Sequence, residues 1–209
     1  NPNCSTIQLV VALQPRAEMF GVNKVTVSTY QAVSGGGKAA LNELLDHSND
    51  IALDKTPAAP EAFPHEIAFN CIPEIGSFDD NGYCSEEVKI MTETKKILNL
   101  PKLNVSAFTV RVPSLNGHSE AVWVTLDEKA TRDEVLASFE SAEGIIVQDD
   151  PKTHTYPHVR NVSGRNPVFV GRVHKDLANE NTWIFWVVAD NIRKGAALNG
   201  LQIAKAIFS

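Results

Sequence analysis

Asn104-Val105-Ser106-Ala107-Phe108-Thr109-Val110-Arg111-Val112-Pro113, then Ser114-Leu115-Asn116-Gly117, then His118-Ser119-Glu120-Ala121-Val122-Trp123-Val124-Thr125-Leu126 is the stretch on which the fold turns. Both flanks are rich in β-branched and aromatic residues, which suit a pleated, half-buried surface. The four residues between them end in Asn-Gly and read as a tight turn, so 104–113 and 118–126 are expected to form a hairpin. That hairpin would set Arg111 and His118 at the same end of adjacent strands. Arginine offers a planar fork that grips a carboxylate, and histidine exchanges a proton near neutral pH.

Upstream, Ser85 is expected to cap a helix to about Asn99, with Glu86 and Glu87 in its first turn. Glu86 and Lys89 are i, i+3 neighbours on its face. Residues 67–72 read as a short apolar strand, and 50–63, with Pro57, Pro60 and then Pro64, as a surface loop. A helix is expected over about 39–47, and 24–30 alternates as a strand that runs into Gln31 and the run Ser34-Gly35-Gly36-Gly37-Lys38. That run is not a phosphate loop, because Ala32 and Ala39 stand where a glycine and a hydroxyl residue are required. Downstream, Thr131 and Glu134 form a capping box for a helix to about Ser141. Strands follow at 145–148, 167–174 and 182–189, and Asp190-Asn191 caps a last helix to about Phe208. The fold class is therefore α+β: a mixed, largely antiparallel sheet with helices on one face.

The chain opens Asn1-Pro2-Asn3-Cys4-Ser5-Thr6-Ile7-Gln8 and continues with an apolar run to Leu13. This reads as the start of a buried helix capped by Asn3 or Ser5. A thiol there faces free backbone N–H groups and the positive end of the helix dipole, which favour thiolate and can hold an oxyanion. Cys4 is thus a candidate nucleophile toward an aldehyde or acyl group. The opposing reading is an ordinary buried cysteine.

Composition narrows the classes. The 209 residues carry a net charge of −6, which argues against nucleic acid or an anionic membrane as partner. No apolar run reaches the roughly 20 residues that span a bilayer. Three cysteines, Cys4, Cys71 and Cys84, with no C-x-x-C pair suggest neither a disulfide framework nor zinc, so no metal is expected and a reducing cytoplasm fits best. Cys71 and Cys84 take the structural reading. His47, His65, His154, His158 and His174 lack ligand spacing and are expected on the surface. The chain starts inside a functional motif with no methionine and no strand before it, so a preceding half is expected.

Taken together, five segments resemble aspartate-semialdehyde dehydrogenases: Asn1 to Gln8; Ser28-Thr29-Tyr30-Gln31-Ala32-Val33-Ser34-Gly35; Asn81-Gly82-Tyr83 with Glu86-Glu87-Val88-Lys89; Arg111-Val112-Pro113 with Gly117-His118-Ser119-Glu120; and Ala189-Asp190-Asn191-Ile192-Arg193-Lys194-Gly195-Ala196-Ala197-Leu198-Asn199. The resemblance implies a glyceraldehyde-3-phosphate-dehydrogenase-like C-terminal domain and NADP-dependent reductive dephosphorylation of L-aspartyl-4-phosphate to the semialdehyde, feeding lysine, threonine, methionine and isoleucine synthesis. It implies Cys4 as nucleophile, His118 as acid/base and Gln31 as orienting group. Arg111 and Glu86 would bind the substrate's carboxylate and amino ends, and Lys89 and Asn3 the phosphate. Ser34, Gly35 and Asn191 would touch the nicotinamide side of NADP. It further implies a homodimer through the sheet, a catalytic and dimerisation domain over 1–190, and a helix over 191–209 that packs on a dinucleotide-binding domain not in this sequence. Without that domain the chain alone is expected to be inactive. The alternatives are a related acyl-phosphate reductase, such as N-acetylglutamyl-phosphate reductase, and a silent paralogue or isolated fragment acting only as a dimerisation module.

Overall fold

A computed structural model describes residues 1–208 of the chain. Its centre is a six-stranded mixed sheet in the order β2-β1-β3-β6-β5-β4. The strands are β1 (Val22–Ala32), β2 (Asn104–Val112), β3 (His118–Leu126), β4 (Ile145–Val147), β5 (Val168–Lys175) and β6 (Thr182–Ala189). β1–β3, β3–β6 and β5–β6 are antiparallel, while β1–β2 and β4–β5 are parallel. The expected hairpin does not form: β1 lies between β2 and β3 and pairs with both. The turn that follows β2 crosses over the end of β1, where Val33 donates its N–H to the Ser114 carbonyl at 2.9 Å. A local turn signal says that the chain reverses, and it is silent about a third strand slipped between the arms.

Helices α1 (Cys4–Phe20), α3 (Ser85–Ile97) and α4 (Arg132–Glu140) cover one face of the sheet. The core between them joins Leu9 and Leu13 of α1 to Val25, Val27, Val122, Val124 and Val187 of the strands, with Phe139 edge-on to Phe185 at 5.1 Å. α1 also buries Arg16, whose guanidinium lies 3.3 Å from the Phe139 ring centroid and donates to the Ala12 carbonyl. Along β3 the even-numbered residues 118–126 point inward, so Glu120 is buried in the same series as Val122 and Val124. The odd-numbered positions face the other way. There Tyr30 meets Trp186 at 5.4 Å, and Phe108 is 55 % exposed. Among the described residues this second face carries no helix layer apart from the single-turn α5 (Val159–Val162) near its end.

Other expectations change in detail. Cys84, not Ser85, is the N-cap of α3, and Glu87 returns a carboxylate oxygen to the Cys84 N–H at 3.0 Å. Residues 67–72 make no strand; only Ile72 bridges to Arg111. His47 is buried on α2 (Gly37–Ala52), beneath the amphipathic face that seats Ala40 and Leu44, while the other four surface-assigned histidines are exposed. The last helix does not begin at Asn191. Asp190 accepts the N–H groups of Ile192 and Arg193, a π turn follows over Arg193–Ala197, and α6 runs Leu198–Phe208 with no buried residue. Among the described residues no helix is long and apolar enough to cross a membrane.

Candidate active site

Sheet register assembles the site. Gln31 of β1 lies opposite Arg111 of β2 on one side and opposite His118 of β3 on the other. Paired residues on neighbouring strands share a face, so amide, guanidinium and imidazole form one row at the sheet end, all under 8 % exposed. They point toward the helix layer, where the N-terminus of α1 meets them. Asn3 caps α1, its Oδ1 accepting the N–H groups of Ser5 at 3.0 Å and Thr6 at 3.2 Å. Cys4 is thereby the first helical residue, in the position expected for a sulfur near free N–H groups.

Hydrogen bonds tie row to helix. Gln31 Nε2 donates to Ser5 Oγ and, at 3.2 Å, to Glu86 Oε1. Asn3 Nδ2 donates to the same Glu86 oxygen at 2.7 Å, and the Asn3 N–H donates to Glu93 Oε2. Glu86 is buried, whereas its partner Lys89, 3.9 Å away, is half-exposed at the rim. The Ala32 peptide links the other two members of the row. Its carbonyl accepts from Arg111 NH1 at 2.8 Å, and its N–H donates to His118 Nδ1 at 3.1 Å. The tautomer follows: with Nδ1 accepting, the neutral ring carries its proton on Nε2, which has no partner among the described residues.

Two glycines make room. A Cβ on Gly35 would stand 2.9 Å from Arg111 NH1 and 3.6 Å from His118 Nε2, and one on Gly195 would stand 2.9 Å from the Cys4 Cβ. Ser34 and Asn191, 3.0 Å apart through Asn191 Nδ2, sit beside these two glycines, and Asn191 Oδ1 also accepts the Gly117 N–H at 2.8 Å. All ten predicted site residues therefore belong to one connected cluster. Two concavities of about 470 Å³ lie elsewhere, one beside α1 at Val10 and Gln14, the other on the open sheet face at His158 and Trp186. Neither includes a member of the row.

Electrostatics departs from expectation at the sulfur. Burial, with Glu86 second, pushes the Cys4 thiol up to about 11, outweighing the Ser5 backbone N–H and the Arg111 cation. The helix dipole favours thiolate but is outweighed by desolvation. Burial also brings His118 down to about 3, helped by Arg111. Cys4 and His118 thus stand as neutral thiol and neutral imidazole at pH 7 in this chain. Sequence reasoning assigned nothing to Glu120, which is fully buried and held protonated far above the usual carboxylate range by desolvation. Period-two alternation in 118–126 would have shown it facing inward beside His118. Phe63, whose ring lies 5.9 Å from the Arg111 guanidinium, had no sequence signal, because it arrives from a loop.

Residues 13–194 match the family model for the semialdehyde dehydrogenase, dimerisation domain. The aspartate-semialdehyde dehydrogenase of Bacillus subtilis is 47 % identical over 99 % of this chain and 62 % of its own length. The crystal structure of aspartate semialdehyde dehydrogenase II from Vibrio cholerae, complexed with ASA, superposes with a TM-score of 0.94 at 43 % identity, over 98 % of this chain and 60 % of that one. The Candida albicans aspartate semialdehyde dehydrogenase with NADP gives 0.70 at 26 % identity, over 98 % and 56 %. The chain thus spans about 60 % of the length of these relatives.

Proposed function

Because this chain belongs to the semialdehyde dehydrogenase family, we propose that it is the catalytic and dimerisation part of an aspartate-semialdehyde dehydrogenase, which reduces L-aspartyl-4-phosphate to L-aspartate-4-semialdehyde with NADP as cofactor. The observation that carries this is the Arg111–Gln31–His118 row set against the helix start that bears Cys4. Sulfur, proton donor and carboxylate fork are the groups this acyl chemistry demands.

In the reducing direction the Cys4 thiol attacks the acyl phosphate: the C–S bond forms as the bond from carbonyl carbon to phosphate oxygen breaks, and the thiol proton leaves with the phosphate, giving a thioester. On this reading Lys89 at the rim and Asn3 at the cap bind the phosphate, and Glu86 and Arg111 the amino and carboxylate ends. His118 presents Nε2–H, so in this tautomer it donates to the oxygen that gains charge as the thioester is reduced. Gln31, held by Ser5 and Glu86, orients the carbonyl. The reduced cofactor, NADPH, would when bound supply the hydride and leave as NADP. Glycine at 35 lets Arg111 NH1 and the His118 ring lie close against this turn, and the neighbouring Ser34–Asn191 pair offers hydroxyl and amide groups to the carboxamide of the nicotinamide end.

The same reading extends to the rest of the polypeptide. The 1–190 portion is the catalytic and dimerisation unit, with the open sheet face as the homodimer contact. α6, exposed along Leu201, Ile207 and Phe208, packs on a dinucleotide-binding domain. The reaction would supply lysine, threonine, methionine and isoleucine synthesis in the cytoplasm. The test uses full-length protein with aspartate semialdehyde, phosphate and NADP. Cys4→Ala is expected to lower turnover at least ~10³-fold with the fold unchanged, and the present chain alone to produce no NADPH. Turnover that survives Cys4→Ala removes the sulfur from the mechanism. A higher kcat/KM on N-acetylglutamate semialdehyde would favour the related reductase.

A further inference from the structure

Arg111 is a buried cation with an unusual setting. Among the described residues no carboxylate oxygen lies within salt-bridge distance of its guanidinium, whose one hydrogen bond is to the Ala32 carbonyl. What covers it is an aromatic ring. The segment after α2 is exposed over most of its length, yet it turns back at residues 61–63. There Phe63 packs on the apolar cluster of Val33, Ala40, Leu44 and Ile67. Its ring edge comes 3.8 Å from the Cβ direction of Gly36, and its centroid lies 5.9 Å from the Arg111 guanidinium carbon. The turn is strapped to α2: Glu43 Oε2 accepts the N–H groups of both Glu61 and Ala62, each at 2.7 Å.

We propose that Phe63, fixed by the Glu43 strap, is a positioning residue for the carboxylate subsite built on Arg111. Gly35 limits the guanidinium on one side, and the ring limits it on another. The ring keeps bulk water from the cation without supplying an anion that would compete with the substrate. A carboxylate reaching Arg111 then pairs with it where screening is weak, and the negative ring face holds the guanidinium in place meanwhile. This rests on the reading of Arg111 as the carboxylate fork.

The test compares full-length wild type with Phe63→Ala, Phe63→Tyr and Glu43→Gln. Phe63→Ala should raise the KM for aspartate semialdehyde about tenfold, leave kcat within about twofold and leave the KM for phosphate unchanged. Phe63→Tyr should behave as wild type. Glu43→Gln, remote from the chemistry, should move the same KM in the same direction by a smaller factor. A second readout needs no turnover: phenylglyoxal modification of Arg111, followed by peptide mapping, should be several-fold faster in Phe63→Ala. Unchanged KM together with an unchanged modification rate overturns the proposal, and so does a loss confined to kcat. If wild type itself is inactive on aspartate semialdehyde, the proposed reaction fails, and the modification rate then decides the role of the ring by itself.

Discussion

His118 accepts the Ala32 N–H and points an unpartnered Nε2–H into the site, so its protonation is a property of the fold as much as of the chemistry. Its folded pKa of about 3 lies below the value of about 6.5 in an unfolded chain. Between those values the unfolded chain takes up a proton that the native state refuses. Stability therefore falls as pH drops through that window. His118→Gln removes this linkage, and its stability curve from urea titrations should be flatter between pH 6.5 and 4, by up to about 1.4 kcal/mol per pH unit. Glu120 carries the opposite sign. Its native carboxyl keeps a proton that the unfolded chain releases above about 4.5, so it costs stability as pH rises, and Glu120→Gln should flatten that limb instead. Two variants with parallel pH profiles would mean that one of these groups is charged in the native protein.

At the level of elements, the site depends on β2, an edge strand whose outer side would otherwise leave backbone groups unpaired. Two devices cover it. Ile72 exchanges both backbone hydrogen bonds with Arg111, at 2.8 and 2.9 Å, and Glu87 Oε1 accepts the Thr109 N–H at 2.9 Å while its Oε2 caps α3. One carboxylate thus fixes the start of α3, and with it Glu86, against the strand that carries Arg111. Glu87→Ala leaves two buried N–H groups unpaired and should cost about 2–4 kcal/mol in a denaturant titration; a loss below about 0.5 kcal/mol would show that water replaces it. Glu87→Gln, which keeps one acceptor, should fall between. These elements also show what a sequence discloses. Strand limits at β6 and the Thr131–Glu134 box are local and were legible. Alternation placed Gln31, Arg111 and His118 near strand ends, but their union in one row depends on β1 lying between β2 and β3, a nonlocal choice that no turn residue encodes. The Ile72 bridge looked like a strand because an apolar run and a single covering residue share a composition. The raised thiol was illegible for another reason: desolvation depends on how deep the helix start sits, and periodicity does not measure depth.

The whole molecule has one face of its sheet covered by three helices and the other largely open, and under the proposed function the open face carries the homodimer contact. Phe108 and Tyr30, 55 % and 37 % exposed, stand there with Trp186 and Trp123 around them. Aromatic residues left in a cluster on a sheet mark a surface that gains by association, and the family model that the chain matches describes a dimerisation domain. A two-fold contact uses the same patch twice, so one substitution enters the interface as two. Phe108→Asp places two carboxylates in that contact while touching little of the monomer core, since its ring is already mostly solvated. In sedimentation of the full-length protein at micromolar concentration, wild type should run as a dimer and Phe108→Asp should shift toward monomer, with unchanged circular dichroism. Loss of the dimer should leave the Arg111–Gln31–His118 row intact, because every bond that positions it lies within one chain. A Phe108→Asp protein that remains dimeric at the same concentration would place the contact on another surface and leave the open aromatic face without a partner.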